Sequence, residues 1–262
     1  MSGRHLFCTK VTDPGGNMEK HDIVYILRND IDTDEIRYSL RSVEKNFPHG
    51  KVWFYGGKPS GIEPDGYVRF YQQGASKYDR VTNTIKAVCM NDDISEDFWL
   101  FNDDFFVMRK TQNPKQMITG TIAERVQRII DMVGFKSKYA KRLEHTADLL
   151  QAKGYTTLDY AVHAPILINR RKALEAMAEF PGEPMFRCIY GNYTGLKART
   201  IKDVKVFGDE EPLKNTTYMS TDDAAYRGQA GEYLRGRYQV PSRWEVDHAG
   251  SKTHAGVEEA QA

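Results

Sequence analysis

An α/β protein built on an open sheet of Rossmann type is the fold class that the sequence predicts, and three observations point to it. Short β-branched or aromatic runs alternate with amphipathic segments over the first hundred residues. One of those runs ends abruptly at the acidic pair Asp103-Asp104, and the carboxyl end of a strand is where such sheets present ligands. From Thr119 the periodicity turns helical, which predicts a mainly helical insert over about 119–155.

The elements follow in order. Residues 1–20 carry Pro14, Gly15 and Gly16 with few apolar residues and read as a flexible entry. His21 to Leu27 contains Ile23-Val24-Tyr25-Ile26-Leu27, the pattern of a strand buried on both faces of a parallel sheet. Asp30, Asp32, Thr33 and Asp34 offer helix caps, and Ile36, Leu40, Val43 and Phe47 recur at helical spacing before Pro48. Lys51 to Tyr55 is a second strand closed by Gly56-Gly57, Tyr67 to Tyr71 a third, and the stretch from Arg80 to Met90 a helix. Phe98 to Phe101 is the next strand. In the insert, Ile122, Val126, Ile129, Ile130 and Val133 mark one helix and Tyr139 to Leu150 another. Tyr160 to Asn169 returns to strand composition, Arg171 to Phe180 is helical, and Glu232 to Tyr238 is the last helix. The small, polar residues 248–262 predict a disordered tail.

Composition narrows the function classes. The chain has 262 residues, 40% of them hydrophobic, and 37 Lys and Arg against 36 Asp and Glu give a net charge of +1. That excludes a wholly basic nucleic-acid binder while leaving open how the charge is distributed. The first apolar stretch is only Leu6 to Cys8 and no run reaches the ~20 apolar residues of a bilayer span, so no membrane association and a cytoplasmic location are expected. Cys8, Cys89 and Cys188 lack metal or redox spacing and are expected as reduced thiols.

The residues that carry chemistry begin with Trp99-Leu100-Phe101-Asn102-Asp103-Asp104-Phe105-Phe106. Charge buried beside aromatics is costly unless compensated, and a divalent cation is the usual compensation, so Asp103 and Asp104 are candidate metal ligands, the alternative being helix or turn caps. Arg37 and Arg41 share one helix face and can hold a pyrophosphate, or else form surface ion pairs. Arg28 follows the first strand, while Arg80 and Asn83 approach the acidic strand from the preceding helix; all three are candidate nucleotide contacts. His163 sits alone in an apolar run and is either a metal ligand, a general base or a satisfied core histidine. Arg187 stands beside Tyr190-Gly191-Asn192, read as a glycine turn. In Ser220-Thr221-Asp222-Asp223 one aspartate is expected to cap a helix and the other to serve catalysis. Lys136, Lys138, Lys141 and Arg142 form a basic cluster in the insert, and Arg187, Lys197, Arg199, Lys202 and Lys205 enrich the later part; these are either solvated faces or a surface for a polyanion.

Taken in order, Asp22-Ile-Val-Tyr-Ile, Asp34-Glu-Ile-Arg-Tyr-Ser-Leu-Arg-Ser-Val-Glu-Lys-Asn, Phe101-Asn-Asp-Asp-Phe-Phe, His163-Ala-Pro, and Arg187 with Tyr190-Gly-Asn resemble the blocks of the Stealth family of hexose-1-phosphate transferases. The resemblance runs from about residue 22 to about residue 225. The chain is shorter than those proteins and has Ile26-Leu27-Arg28 in place of Thr-Trp-Val, so it looks more like compact, often phage-encoded glycosyltransferases. This resemblance implies a single catalytic domain over 21–247 of GT-A-like fold and a nucleotide-diphosphate sugar donor, a UDP-sugar by expectation. It also implies Mn²⁺ or Mg²⁺ on Asp103 and Asp104 bridging the donor diphosphate, with His163 and Arg187 lining the donor phosphate site and Asp222 or Asp223 as base or acceptor-orienting acid. The expected acceptor is a hydroxyl, on hydroxymethylated pyrimidine in DNA or otherwise on a glycan or protein. Two alternatives are a Stealth-type sugar-1-phosphate transferase acting on a glycan and a non-catalytic sugar- or nucleic-acid-binding module.

Overall fold

The computed structural model describes residues 20–30, 33–182 and 185–246. Residues 1–19 of the expected flexible entry, the tail over 248–262, Cys8 and the candidate cap Asp32 lie outside the described residues. The chain order is β1 (Asp22–Leu27), α1 (Glu35–Asn46), β2 (Val52–Gly56), β3 (Gly66–Val68), α2 (Lys77–Cys89), β4 (Asp97–Phe101), β5 (Phe105–Val107) and β6 (Gln116–Ile118). It continues through α3 (Ile122–Val133), α4 (Lys138–Ala152), β7 (Ile166–Asn169), α5 (Arg170–Glu179), α6 (Phe186–Tyr193), β8 (Ala198–Thr200), β9 (Lys205–Val206), β10 (Tyr218–Thr221), α7 (Asp223–Arg227) and α8 (Gln229–Arg237).

The central sheet has the order β3-β2-β1-β4-β7, so a mixed α/β architecture with a mostly parallel sheet is present as expected. β1 pairs in parallel with β2 on one side and β4 on the other. Its alternation explains why it is buried on both faces: Ile23, Tyr25 and Leu27 pack with Leu40, Val43 and Phe47 of the α1 layer, while Val24 packs with Ile85 and Val88 of α2 on the opposite side. Burying both faces excludes water from the backbone ladder and holds the strand ends rigidly. The helical hairpin of α3 and α4 makes its own core with Ile122, Val126, Leu143 and Leu150. α3 begins at a capping box between Thr121 and Glu124 and ends at Gly134 with φ +77°.

Two expectations need correction. Of the strand expected over Tyr160 to Asn169, only Ile166–Asn169 is strand, and β7 runs antiparallel to β4 as the sheet edge. The segment before it is held outside the ladder by side chains, with Tyr160 Oη bonded to the Leu196 carbonyl and Asn192 bonding both the N–H and the C=O of Leu158. Tyr190-Gly191-Asn192 is not a glycine turn but the body of α6. A Cβ at Gly191 would sit 2.4 Å from the Tyr160 ring, so the glycine serves close packing of helix against ring. No helix among the described residues is long and apolar enough to cross a membrane. Cys89 and Cys188 are buried free thiols, and burial pushes the Cys89 thiol up to about 12.

Candidate functional site

The chain reverses direction across the sheet at β1. From it the sequence moves outward to β2 and β3, then crosses to β4 on the far side, so the loops after β1 and β4 open a crevice between them. Arg28 leaves β1 there, and Asn102, Asp103 and Asp104 leave β4. The pairing of Tyr25 with Phe101 fixes the two exits side by side.

A second, smaller sheet completes the wall. β10 pairs antiparallel with β5, bringing Ser220 opposite Phe105, and pairs in parallel with β9, bringing Ser220 opposite Lys205. Lys205 Nζ therefore lies 2.8 Å from Asp104 Oδ2, and Ser220 Oγ donates to the same oxygen at 2.8 Å. Thr221 Oγ1 donates to Glu35 Oε1 at 3.2 Å from the neighbouring position.

Asp104, Lys205, Thr221 and Glu35 line a cleft of about 670 Å³. Asp34, Glu35, Asp103, Asp104, Asp222 and Asp223 make its acidic part, while Arg28, Lys205, Arg227 and Arg235 supply positive charge. Burial, and then the charge of Asp104, push the Asp103 carboxyl up to about 6. Burial followed by the charges of Asp103 and Asp104 push Glu35 up to about 8. Lys205 is the one cation that any described ion pair places on these six carboxylates. Burial and mutual repulsion thus oppose full ionisation of this acidic group, and an added cation would relieve both.

The donor set consists of carboxylate oxygens, which suit hard divalent ions such as Mg²⁺ or Mn²⁺. Among the described residues no three His, Cys, Asp or Glu side chains are placed to hold one ion. The residues fit the mode in which Mg²⁺ rests on one or two carboxylates and takes its other ligands from phosphate and water, and Asp103 and Asp104 would hold it.

A second compartment of about 320 Å³ lies against the α2 and α6 side of the same strands. Asp103 lines both chambers. The walls of the second are largely apolar, with Ile26, Val81, Leu100 and Phe186 among them, and Lys77, Tyr78, Asn102 and Arg187 add polar groups beside Asp103.

The structure thus gathers Arg28, Asp103, Asp104, Asp222 and Asp223 in one cleft and puts Arg187 in the adjoining chamber. Asp222 is the N-cap of α7: its Oδ1 accepts from Ala225 N at 2.8 Å and Gly208 N at 3.1 Å. Asp223 stands in the first turn with its side chain on the cleft.

Five candidates are placed elsewhere. Arg41 forms a two-pronged pair with Glu245, Nε to Oε1 2.7 Å and Nη2 to Oε2 2.6 Å, and Arg37 bonds the Ser60 and Gly61 carbonyls and Glu245. These arginines clamp the C-terminal segment to α1 and are not available to a nucleotide. Arg80 and Asn83 bond the Gly74 and Gln73 carbonyls, holding the loop that enters α2, and neither lines the cleft. His163 is likewise absent from the cleft: its Nδ1 lies 2.9 Å from Asp203 Oδ2, which also pairs with Arg125 at 3.0 Å. Burial opposes ionisation of Asp203, but the hydrogen bond and charge of His163 and then the charge of Arg125 outweigh it and hold that carboxyl well below the usual range.

Several cleft residues, Arg227 and Arg235 among them, escaped the sequence reading, and two show why. Glu35 looked like an ordinary acidic residue in a first helical turn, and Lys205 like one member of a scattered basic set. Their positions depend on pairings that span 186 and 101 residues. A signal for Lys205 lay in its place within a short apolar run, Val204-Lys205-Val206.

No protein-family model matches the chain, and no curated protein sequence matches it. Among solved structures, the chain is similar to that of the galactosyltransferase LgtC in complex with donor and acceptor sugar analogs, at 11% identity, TM-score 0.44, covering 84% of this chain and 96% of that one. It is similar to a structure of an active-site mutant of LgtC at the same identity and coverage, with TM-score 0.45.

Proposed function

We propose that this chain is a GT-A-like, metal-dependent glycosyltransferase that moves a sugar from a nucleotide-diphosphate donor, a UDP-sugar, to a hydroxyl acceptor. The observation that carries this reading is the pair Asp103-Asp104 at the crevice between β1 and β4, facing Arg28, Lys205, Arg227 and Arg235 across one cleft. Few ligands ask for buried carboxylates and a set of cations in one chamber; a diphosphate with its Mg²⁺ or Mn²⁺ does.

When bound, the cation supplies Lewis-acid stabilisation of the departing diphosphate. Arg28, Arg227 and Arg235 bind the phosphate oxygens and orient the donor. Lys205 and Ser220 fix the rotamer of Asp104, which keeps one carboxylate oxygen in place for the cation. Asp223, without the capping duty that occupies Asp222, takes the acceptor hydroxyl proton. The basic face of α4, with Lys138, Lys141, Arg142 and His145, supports a polyanionic acceptor such as hydroxymethylated DNA, because Arg142 stacks 4.3 Å from the centroid of the Tyr78 ring, which lines the second chamber.

Incubation with a panel of UDP-sugars, Mn²⁺ and candidate acceptors, followed by identification of the released nucleotide, tests the reading. UDP is expected. UMP would show sugar-1-phosphate transfer instead, and donor binding without any release would show a binding module.

A further inference from the structure

The second chamber contains a guanidinium in a costly position. Arg187 reaches it from the first turn of α6, makes no ion pair among the described residues, and donates through Nη2 to the Ala164 carbonyl. Its Nε is sealed from solvent with no hydrogen-bond partner. Burial holds its pKa down to about 10. The residue as a whole is half-buried and its guanidinium stands 5.8 Å from the Phe105 ring centroid, yet a charged group whose Nε is cut off from water is destabilising unless it meets an anion, and among the described residues none is in ion-pair contact with it. The surroundings show what kind of anion fits. Ile26, Val81, Leu100 and Phe186 provide apolar walls for a ring-sized body, Lys77 stands exposed at the rim, and Asn102 offers an amide beside Asp103. A volume of about 320 Å³ accommodates a single sugar or nucleoside unit, and is too small for a whole nucleotide-sugar.

We propose that this chamber is the acceptor subsite and that the acceptor unit carries its own negative charge, a carboxylate or a phosphate, seated against Arg187. The proposal rests on the donor reading of the larger cleft and deepens it by naming the acceptor's chemical class. The division of the site supports it: with Asp103 the one residue common to both chambers, the two substrates meet at the carboxylate that would hold the cation. The charge preference is a matter of specificity, since a guanidinium that gains an anion only from the correct acceptor leaves neutral sugars with an unpaid desolvation cost.

The test is calorimetric titration of the full chain, first with UDP and Mn²⁺, then, at saturating UDP and Mn²⁺, with glucuronate, glucose 6-phosphate and glucose. Both anionic sugars are expected to bind about tenfold or more tightly than glucose, with the stronger of the two telling carboxylate from phosphate. Arg187→Met is expected to abolish that preference, and Lys77→Ala, at an exposed rim position that leaves the fold untouched, to weaken both anionic sugars about threefold while leaving glucose unchanged. Equal binding of all three sugars, or an anionic preference unaffected by Lys77→Ala and by a folded Arg187→Met, overturns the proposal. UDP binding without an anionic preference overturns this inference alone, whereas an anionic preference without UDP binding overturns only the donor reading.

Discussion

Lys205 reaches Asp104 across the junction of the two sheets, Nζ to Oδ2 2.8 Å, with each side chain only 15% exposed. The contact joins the loop after β4 to β9 and gives a fixed direction to one carboxylate of the acidic pair. Replacing Lys205 by Met removes the cation while keeping much of the packing. Because Asp104 retains only Ser220, the variant is expected to lose about 2 kcal/mol of stability in urea denaturation and to bind UDP about tenfold more weakly by calorimetry.

Stability should depend on pH through Glu35 and Asp103. Their carboxyls titrate near 8 and near 6 in the folded chain, against about 4 when unfolded. Between those values the folded chain keeps protons that the unfolded chain has released, so the contribution is complete below about pH 4 and is lost as pH rises through about 6 and then about 8. Asp203, held low, acts with the opposite sign: its contribution is present above about pH 4 and is lost below it. The melting temperature is therefore expected to fall between about pH 5 and about pH 8.5, and Glu35→Gln, which keeps the shape of the protonated acid, to flatten that fall. A fall of the same size in Glu35→Gln would remove Glu35 as its source.

The two aspartates at the start of α7 should separate by what they lose. Asp222→Ala gives up a cap with two backbone partners and is expected to cost about 1 kcal/mol. Asp223→Asn is expected to melt like the parent and to lose about a hundredfold or more in turnover, the range of a missing general base. The pair of thermal melts and rate measurements checks both.

Arg41→Met should be a stability variant. Its two-pronged pair with Glu245 is enclosed, at 13% and 8% side-chain exposure, and it also holds the Tyr238 carbonyl. A loss of about 3 kcal/mol is expected in denaturant titration, with UDP affinity within about twofold of the parent. A large loss of UDP affinity in a protein that remains folded would return Arg41 to the donor site.

What could be read ahead of the structure depended on how local its cause is. β1 and α1 were legible because consecutive apolar residues and i, i+4 spacing are set by burial on either side of a single element. α6 was misread because a glycine signals a turn when its neighbours in space are unknown; here the Tyr160 ring, 31 positions earlier in the chain, is what requires it. β5 and β10, three and four residues long, carry too few residues to show alternation and exist through pairing with each other. The acidic pair stood out since charge between aromatics demands an explanation wherever it occurs. Arg37 and Arg41 were ambiguous for the opposite reason: nothing near them in sequence discloses Glu245, which lies 204 residues after Arg41.

The central claim is that Asp103 and Asp104 hold a divalent cation against a nucleotide diphosphate. Its most direct measurement is calorimetric binding of UDP to the parent and to Asp103→Asn, each with and without Mn²⁺. The account predicts that Mn²⁺ tightens UDP binding to the parent about tenfold or more and leaves a folded Asp103→Asn near its metal-free affinity. Equal tightening by Mn²⁺ in both proteins, or no effect of Mn²⁺ on the parent, would contradict it.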